Sequence, residues 1–292
     1  MESNIITAVF LPVALGIIML GLGLSLKIED FKRIIIYPKA IFIGLLSQML
    51  ILPVICFLIA KNLGLPAELA VGLMLLAASP GGPTANLFSH LYKGDVALNI
   101  TLTAFNSLLS LFTLPLIVNF AIDYFMNSGQ VVPMQFKKVI EVFAIVLIPV
   151  SIGMIIKSKW PVVSVKLDKP VKLLSALFLI LIIVAAVLKE KDNVIAFFQQ
   201  TGVAALLFNV LSMAVGFFIP ILFKVQKKQA IAIGMEIGIH NGTLAIYIAL
   251  SVIGNSAMSI PPAIYSLIMF FTAAAFGFIV NMRNKNAAVD GK

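Results

Sequence analysis

The chain has 292 residues, 61% of them hydrophobic and 11% charged, with a mean hydropathy of +1.10. That balance excludes a soluble domain of this size and fits an all-α polytopic membrane protein. The net charge of +9 does not point to nucleic acid, because the basic residues are scattered between apolar runs, which is the pattern of membrane topology.

The first apolar run, within "MESNIITAVFLPVALGIIMLGLGLSL", lacks the basic start, the short core and the A-x-A site of a signal peptide, so it reads as a spanning helix. A span needs ~20 mostly apolar residues. The segments that qualify are 5–26, 39–60, 67–92, 95–121, 136–157, 169–188, 201–224, 228–253 and 262–282, nine in all. An odd number puts the termini on opposite sides. With the N-terminus outside, sixteen of the 21 Lys and Arg residues fall on inner segments and five (Lys61, Lys137, Lys138, Lys189, Lys191) on outer ones. The positive-inside bias therefore predicts an N-out, C-in protein of the cell's inner (plasma) membrane. Connections are short, the longest being 122–135 and 158–168, and a tail is expected at 286–292. Trp160 falls at a cytoplasmic helix end, where an indole suits the interface. The single cysteine, Cys56, reads as a small core hydrophobe.

Two spans are interrupted. The third reads "LMLLAASPGGPTANLFSHL", where Pro80 and Pro83 remove donors and Gly81 and Gly82 permit unusual dihedrals. The eighth reads "AIGMEIGIHNGTLAIYIAL", with Gly234, Gly238 and Gly242 among polar side chains. Unwound backbone at membrane depth is tolerated where protein buries it or a water-filled cavity adjoins it. The two spans are five apart in order and hence antiparallel, so spans one to four correspond to six to nine as an inverted repeat. Paired discontinuous helices in inverted halves mark a transporter's binding site.

Glu236 is the one acid well inside a span, and an intramembrane charge is costly enough to be a functional residue by default. Oxygen donors can be assembled around it from Asn86 at the other break, Asn99 and Thr103 one turn apart on the fourth span, and Gln48 on the second. One carboxylate with amides, a hydroxyl and freed carbonyls suits a desolvated alkali ion; a divalent ion wants more carboxylates, and zinc a His/Cys cluster. Half-helix N-termini favour an anionic group. The residues alone thus suggest sodium-coupled transport of a small or amphipathic anion.

The segments "LGIIMLGLGLSLKIEDFKRI", "QMLILP", "LPAELAVGLMLLAASPGGPTANLFSHLYKGDVAL" and "EIGIHNGTLA" resemble, in order, the signature segments of the bile acid:sodium symporter family, in its bacterial form. The resemblance covers nearly the whole chain. It implies a core domain carrying two crossing discontinuous helices and a panel domain facing it. Here these are core residues 35–125 and 195–285 with six helices, and panel residues 1–30 and 133–192 with three, the nine-helix form that lacks the first helix of ten-helix members.

It also implies two sodium sites. The first maps to Asn86, Asn99, Thr103, Glu236 and Ala85, where relatives have serine. The second maps to Gln48, Glu236, Ile237, Ile239 and His240, where relatives often have glutamine, and an imidazole coordinates only when unprotonated. Substrate contacts map to Asn241, Gly242, Thr84 and Pro83, the last replacing a threonine of some relatives. The implied partners are the lipid bilayer and one small organic anion (a bile acid, a sulphated steroid, or a monocarboxylate such as pantoate or pyruvate), and a monomer is expected. An exporter driven by protons or sodium on a related inverted-repeat fold stays open as an alternative. An intramembrane enzyme is disfavoured, since H-E-x-x-H, G-x-S-x-G and D-x-x-x-D patterns are absent. The sequon-like "NIT" at Asn99 and "NGT" at Asn241 lie inside spans and are chance matches, and His90 reads as interfacial.

Overall fold

In lipid each apolar run must satisfy its own backbone, so the runs become helices. The computed structural model describes residues 9–126, 136–189 and 192–289, and among these it contains helices and turns but no strand. In chain order the helices are α1 Leu11–Ser25, α2 Ile28–Lys32, α3 Pro38–Leu46, α4 Leu52–Asn62, α5 Ala67–Ala78, α6 Pro83–Leu91, α7 Val96–Met126, α8 Phe136–Lys159, α9 Pro161–Lys189, α10 Val194–Leu222, α11 Lys227–Gly238, α12 Gly242–Tyr247 and α13 Ile260–Val289. Five stretches are long and apolar enough to cross a membrane: Pro38–Asn62, Val96–Met126, Ile140–Lys159, Ile195–Leu222 and Ala257–Asn281. A sixth qualifies if α1 and the segment Ile28–Ile35, bent by 71°, are taken together. Both interrupted segments are helix pairs: α5 with α6, and α11 with α12. The start of the first predicted span, residues 5–8, most of the 122–135 connection and the last three residues of the tail lie outside the described residues. The rest of the tail, 286–289, is the end of α13.

Some boundaries differ from expectation for local reasons. Pro161 sits at the first position of α9, where a missing N–H costs nothing, so this helix begins eight residues ahead of the apolar run. The second span is one continuous rod, but a π-helical turn, Ser47–Ile51, joins α3 to α4. A matching π turn, Ile248–Ile253, continues α12. Such turns are rare and concentrate at functional sites. The short α2 was not foreseen. Asp30, 3% exposed, accepts from the Lys27 amide at 2.7 Å and from Arg33 Nη1 at 2.5 Å, which closes the segment on itself. Thr101 Oγ1 donates to the Asp30 carbonyl, and Phe31 meets Phe105 edge-on, so α2 is stapled to α7.

Lipid tails are as apolar as leucine, so helices associate through close packing. α1 packs on α8 and α9, and α8 on α9. A Cβ on Gly153 of α8 would come within 2.6 Å of the α1 backbone at Leu20 and Leu24, so glycine sets that approach. A second group forms where α10 packs on α11 and α13, α5 on α7, and α11 on α6 and α7. Cys56 is buried in its core, as expected.

The halves repeat in their turns. After α4, Leu63 N bonds Ile59 O, Gly64 N bonds Lys61 O and Leu65 N bonds Ala60 O; after α10, Phe223, Lys224 and Val225 make the same three bonds to Ile219, Ile221 and Pro220. Gly64 and Lys224 both hold φ near +60°, at +61° and +58°. A left-handed lysine is uncommon, so residue type does not reveal that these two turns match.

Candidate functional site

The two interrupted helices meet at their breaks. Gly82 N donates to Ile239 O at 3.0 Å and Asn241 N to Pro80 O at 2.8 Å, an isolated antiparallel bridge centred on Gly81 and His240. Backbone freed from helix is thereby paired across the crossing, as burial at membrane depth demands. The carbonyl ends of the first halves are capped from neighbouring helices. Gln48 Nε2 donates to Ser79 O at 2.9 Å and Ala77 O at 3.3 Å. On the other side, Asn209 Nδ2 and the Tyr265 hydroxyl both donate to Gly238 O at 2.9 Å. The second halves begin at the crossing, α6 at Pro83 and α12 at Gly242, with Asn241 Oδ1 capping the latter by accepting from Leu244 N at 3.1 Å.

Glu236 lies in the last turn of the first half of the eighth segment, α11, and is fully buried. Its Oε2 accepts from Thr103 Oγ1 at 2.6 Å and its Oε1 from Asn106 Nδ2 at 3.1 Å. The described ion pairs, Arg33–Asp30 and Lys172–Asp168, leave Glu236 without a cationic partner. Gly81 faces it directly. A Cβ there would collide with the carboxyl group and approach the Glu236 carbonyl to 2.8 Å, so only glycine leaves the carboxylate its space.

Of the predicted residues, Thr103 bonds this group directly, Asn99 bonds the helix that carries it, and Gln48 bonds the first break. Asn99 donates to Ala232 O at 2.7 Å, one turn before Glu236, and its Oδ1 is buried without a donor. Asn86 has neither amide atom partnered, and Ala85 beside it brings only a buried methyl. Gln48 likewise keeps a bare Oε1. Ile237 and Ile239 are buried, and the Ile239 carbonyl, taken up by Gly82 N, has one lone pair left. His240 is held through one ring nitrogen and leaves the other bare. Its Nδ1 lies 3.1 Å from Ser79 O, and a carbonyl only accepts, so Nδ1 carries the proton and Nε2 has no partner. The ring stacks on Phe208 at 5.6 Å and meets Tyr265 edge-on at 5.4 Å. Pro83 and Thr84 are half-buried, and Gly242 lies against Ser266 of α13.

Sequence reasoning missed Asn106, 1% exposed. The signal was present: Asn99, Thr103 and Asn106 follow i, i+4, i+7 spacing and share one helix face. Donor-free amide oxygens on Asn99 and Asn106, the latter bonded to the Glu236 carboxylate, fit a hard monovalent cation. Among the described residues there is no cluster of three or more His, Cys, Asp or Glu that would suit a divalent ion. Beside the crossover, Leu111, Leu114 and Pro115 of α7, Val142 and Phe143 of α8, and Leu244 and Ile248 line an apolar recess that Ser110 joins.

Residues 12–197 match the family described as the sodium bile acid symporter family. The chain belongs to this family. It is 31% identical over 265 residues to "Uncharacterized sodium-dependent transporter YocS" of Bacillus subtilis, covering 88% of this chain and 78% of that one. It is also similar to the ileal sodium/bile acid cotransporter of Oryctolagus cuniculus, 25% identical over 94% of this chain and 79% of the relative. Against the "Probable sodium/metabolite cotransporter BASS2, chloroplastic" of Oryza sativa the identity is 27%, over 96% of this chain and 65% of the relative. As a symporter-family member the chain is a membrane transport protein and not an enzyme.

Proposed function

We propose that the protein is a sodium-coupled symporter of an organic anion that works by alternating access. The observation that carries the proposal is Glu236: a fully buried carboxylate beside the crossing of two discontinuous helices, without a cationic partner among the described residues and bonded by Asn106, whose amide oxygen lacks a donor. A desolvated alkali ion supplies the missing positive charge and occupies that oxygen at once. Sodium is then a second cargo, held at one site by Asn86, Asn99, Thr103 and Glu236 beside Ala85, and at a second by Gln48, Glu236 and the Ile237 and Ile239 carbonyls beside His240.

The anion binds where α6 and α12 begin, near Pro83, Thr84, Asn241 and Gly242, because half-helix N-termini carry partial positive charge. Its apolar part faces the recess between α7, α8 and α12, and the cargo is a bile acid-like molecule, a steroid sulphate or a small monocarboxylate. The packing of α1 with α8 and α9 supports a panel of 1–30 and 133–192 that moves against a core of 35–125 and 195–285. The proposal includes nine spans, the N-terminus outside, the C-terminus cytoplasmic, and a monomeric unit.

Sodium-driven uptake by proteoliposomes, compared for the wild type and Glu236→Gln, tests this. The variant keeps an acceptor for Thr103 and is expected to insert and fold. Its sodium-stimulated uptake of a carboxylate should fall by about 100-fold or more, since metal affinity drops 10–100-fold even for supporting residues. Sodium-dependent uptake that survives the substitution would falsify the ion site. Efflux driven by an imposed proton gradient would favour the exporter instead.

A further inference from the structure

Asn106 uses half of its hydrogen-bonding capacity. It lies on α7 one turn beyond Thr103, buried, with its amide nitrogen on Glu236 Oε1 at 3.1 Å and its Oδ1 without a donor. Asn99, two turns earlier on the same face, repeats the arrangement: its nitrogen donates to Ala232 O and its Oδ1 is bare. Each amide is anchored through its donor end, which fixes which end is the oxygen. Two oriented amides on one helix face therefore offer acceptors only, next to a carboxylate that lacks a cation. Buried acceptors without donors are costly unless something positive meets them. Two further facts set Asn106 apart from a structural amide. Thr103 already donates to the other oxygen of Glu236, so the carboxylate does not depend on Asn106 for orientation alone. One turn further along α7 is Ser110, on the wall of the apolar recess, so Asn106 lies between the ion site and the recess.

We propose that Asn106 is a ligand of the sodium ion held by Glu236, its Oδ1 acting with those of Asn86 and Asn99, while its N–H steadies the carboxylate. This rests on the reading of the crossing as a sodium site. Position 106 then sets cation selectivity.

The test needs no transport. The melting temperature of the full-length protein in detergent is titrated with sodium, potassium and lithium chloride at constant ionic strength. A bound ion at concentration c stabilises the folded state by RT ln(1 + c/Kd), so the concentration at which stabilisation sets in, the sodium midpoint, reports Kd. For the wild type, sodium is expected to stabilise and potassium not. For Asn106→Leu, the sodium midpoint should rise about tenfold or more. Asn106→Ser keeps an oxygen on a shorter stem. It should fall between the two and change the lithium-to-sodium preference, a readout that a merely structural donor would leave alone. If the leucine variant does not fold, the serine variant decides. A folded variant with the wild-type sodium midpoint and lithium preference overturns Asn106 as a ligand and leaves the sodium site standing. A wild type stabilised equally by sodium and potassium overturns the site, and Asn106 with it.

Discussion

The two breaks of this protein share a frame and differ in chemistry. In each, the carbonyl two residues before the bridge (Ser79 in one, Gly238 in the other) is capped by an amide from the helix that precedes the broken pair, Gln48 or Asn209. Four residues before the bridge, however, the first break has Ala77 and the second has Glu236. The first break supplies prolines, glycines and space; the second supplies the carboxylate that fills the space. Gly81 shows the dependence directly, because the Glu236 carboxyl group occupies the volume a Cβ would take. The inverted repeat builds the crossing, and one departure from the repeat makes it a charged site.

That contrast can be attacked where it is sharpest. Gly81→Ala drives a methyl into the Glu236 carboxyl group, and overpacking of this kind costs about 1–3 kcal/mol. Its effect on function should be larger still, with sodium-stimulated uptake lost while reduced amounts of folded protein remain. A Gly81→Ala protein with normal uptake would mean that the carboxylate is mobile and the two breaks are not interlocked.

The next comparison sets the two caps against each other. Gln48→Leu takes the side-chain donor from the Ala77 carbonyl, leaves the Ser79 carbonyl with His240 alone and removes the bare Oε1, so it should lose about 1–3 kcal/mol of stability and weaken the sodium response too. Asn209→Leu leaves Gly238 O with the Tyr265 hydroxyl as donor and touches no proposed ligand. Its loss should be smaller and confined to stability, read as a lower melting temperature with an unchanged sodium midpoint. Equal sodium midpoints for both variants would show that the caps are alike in function as well as form. The smallest effect is expected from His240→Gln. An amide can replace Nδ1–H as donor to Ser79 O, so the main loss is the ring contact with Phe208 and Tyr265, about 1 kcal/mol. Uptake measured across sodium concentrations should stay within about tenfold of the wild type, the lower edge of what loss of a supporting residue costs.

The breaks were legible in the sequence because Pro80, Pro83 and the glycines interrupt apolar runs, and because a buried acid at position 236 has no bland explanation. Thr103 and Asn99 were legible by helical spacing. Asn106 obeys the same spacing, but an asparagine on an apolar helix carries no mark of its partner until the facing helix is in register. The π turns at Ser47–Ile51 and Ile248–Ile253 leave no compositional trace, since they arise from tertiary fit rather than from residue type. The staple of α2 to α7 rests on a threonine and a backbone carbonyl 71 residues apart, a pairing that local pattern does not encode. His240 was read as a candidate ligand because relatives often have glutamine at its place. Its role as a donor to Ser79 depends on which ring nitrogen meets a carbonyl, and only geometry supplies that.

The bridge between Gly81 and His240 is made of main-chain atoms, and this has a consequence for lineage. Every residue type except proline offers the same N–H and C=O, so the crossing survives replacement of most side chains that project from it. Mutations at Pro83, Thr84, Asn241 and their neighbours can drift, and be selected for a new cargo, without first re-inventing the scaffold. A fold whose joint is written in backbone can diversify in substrate while its architecture stays inherited.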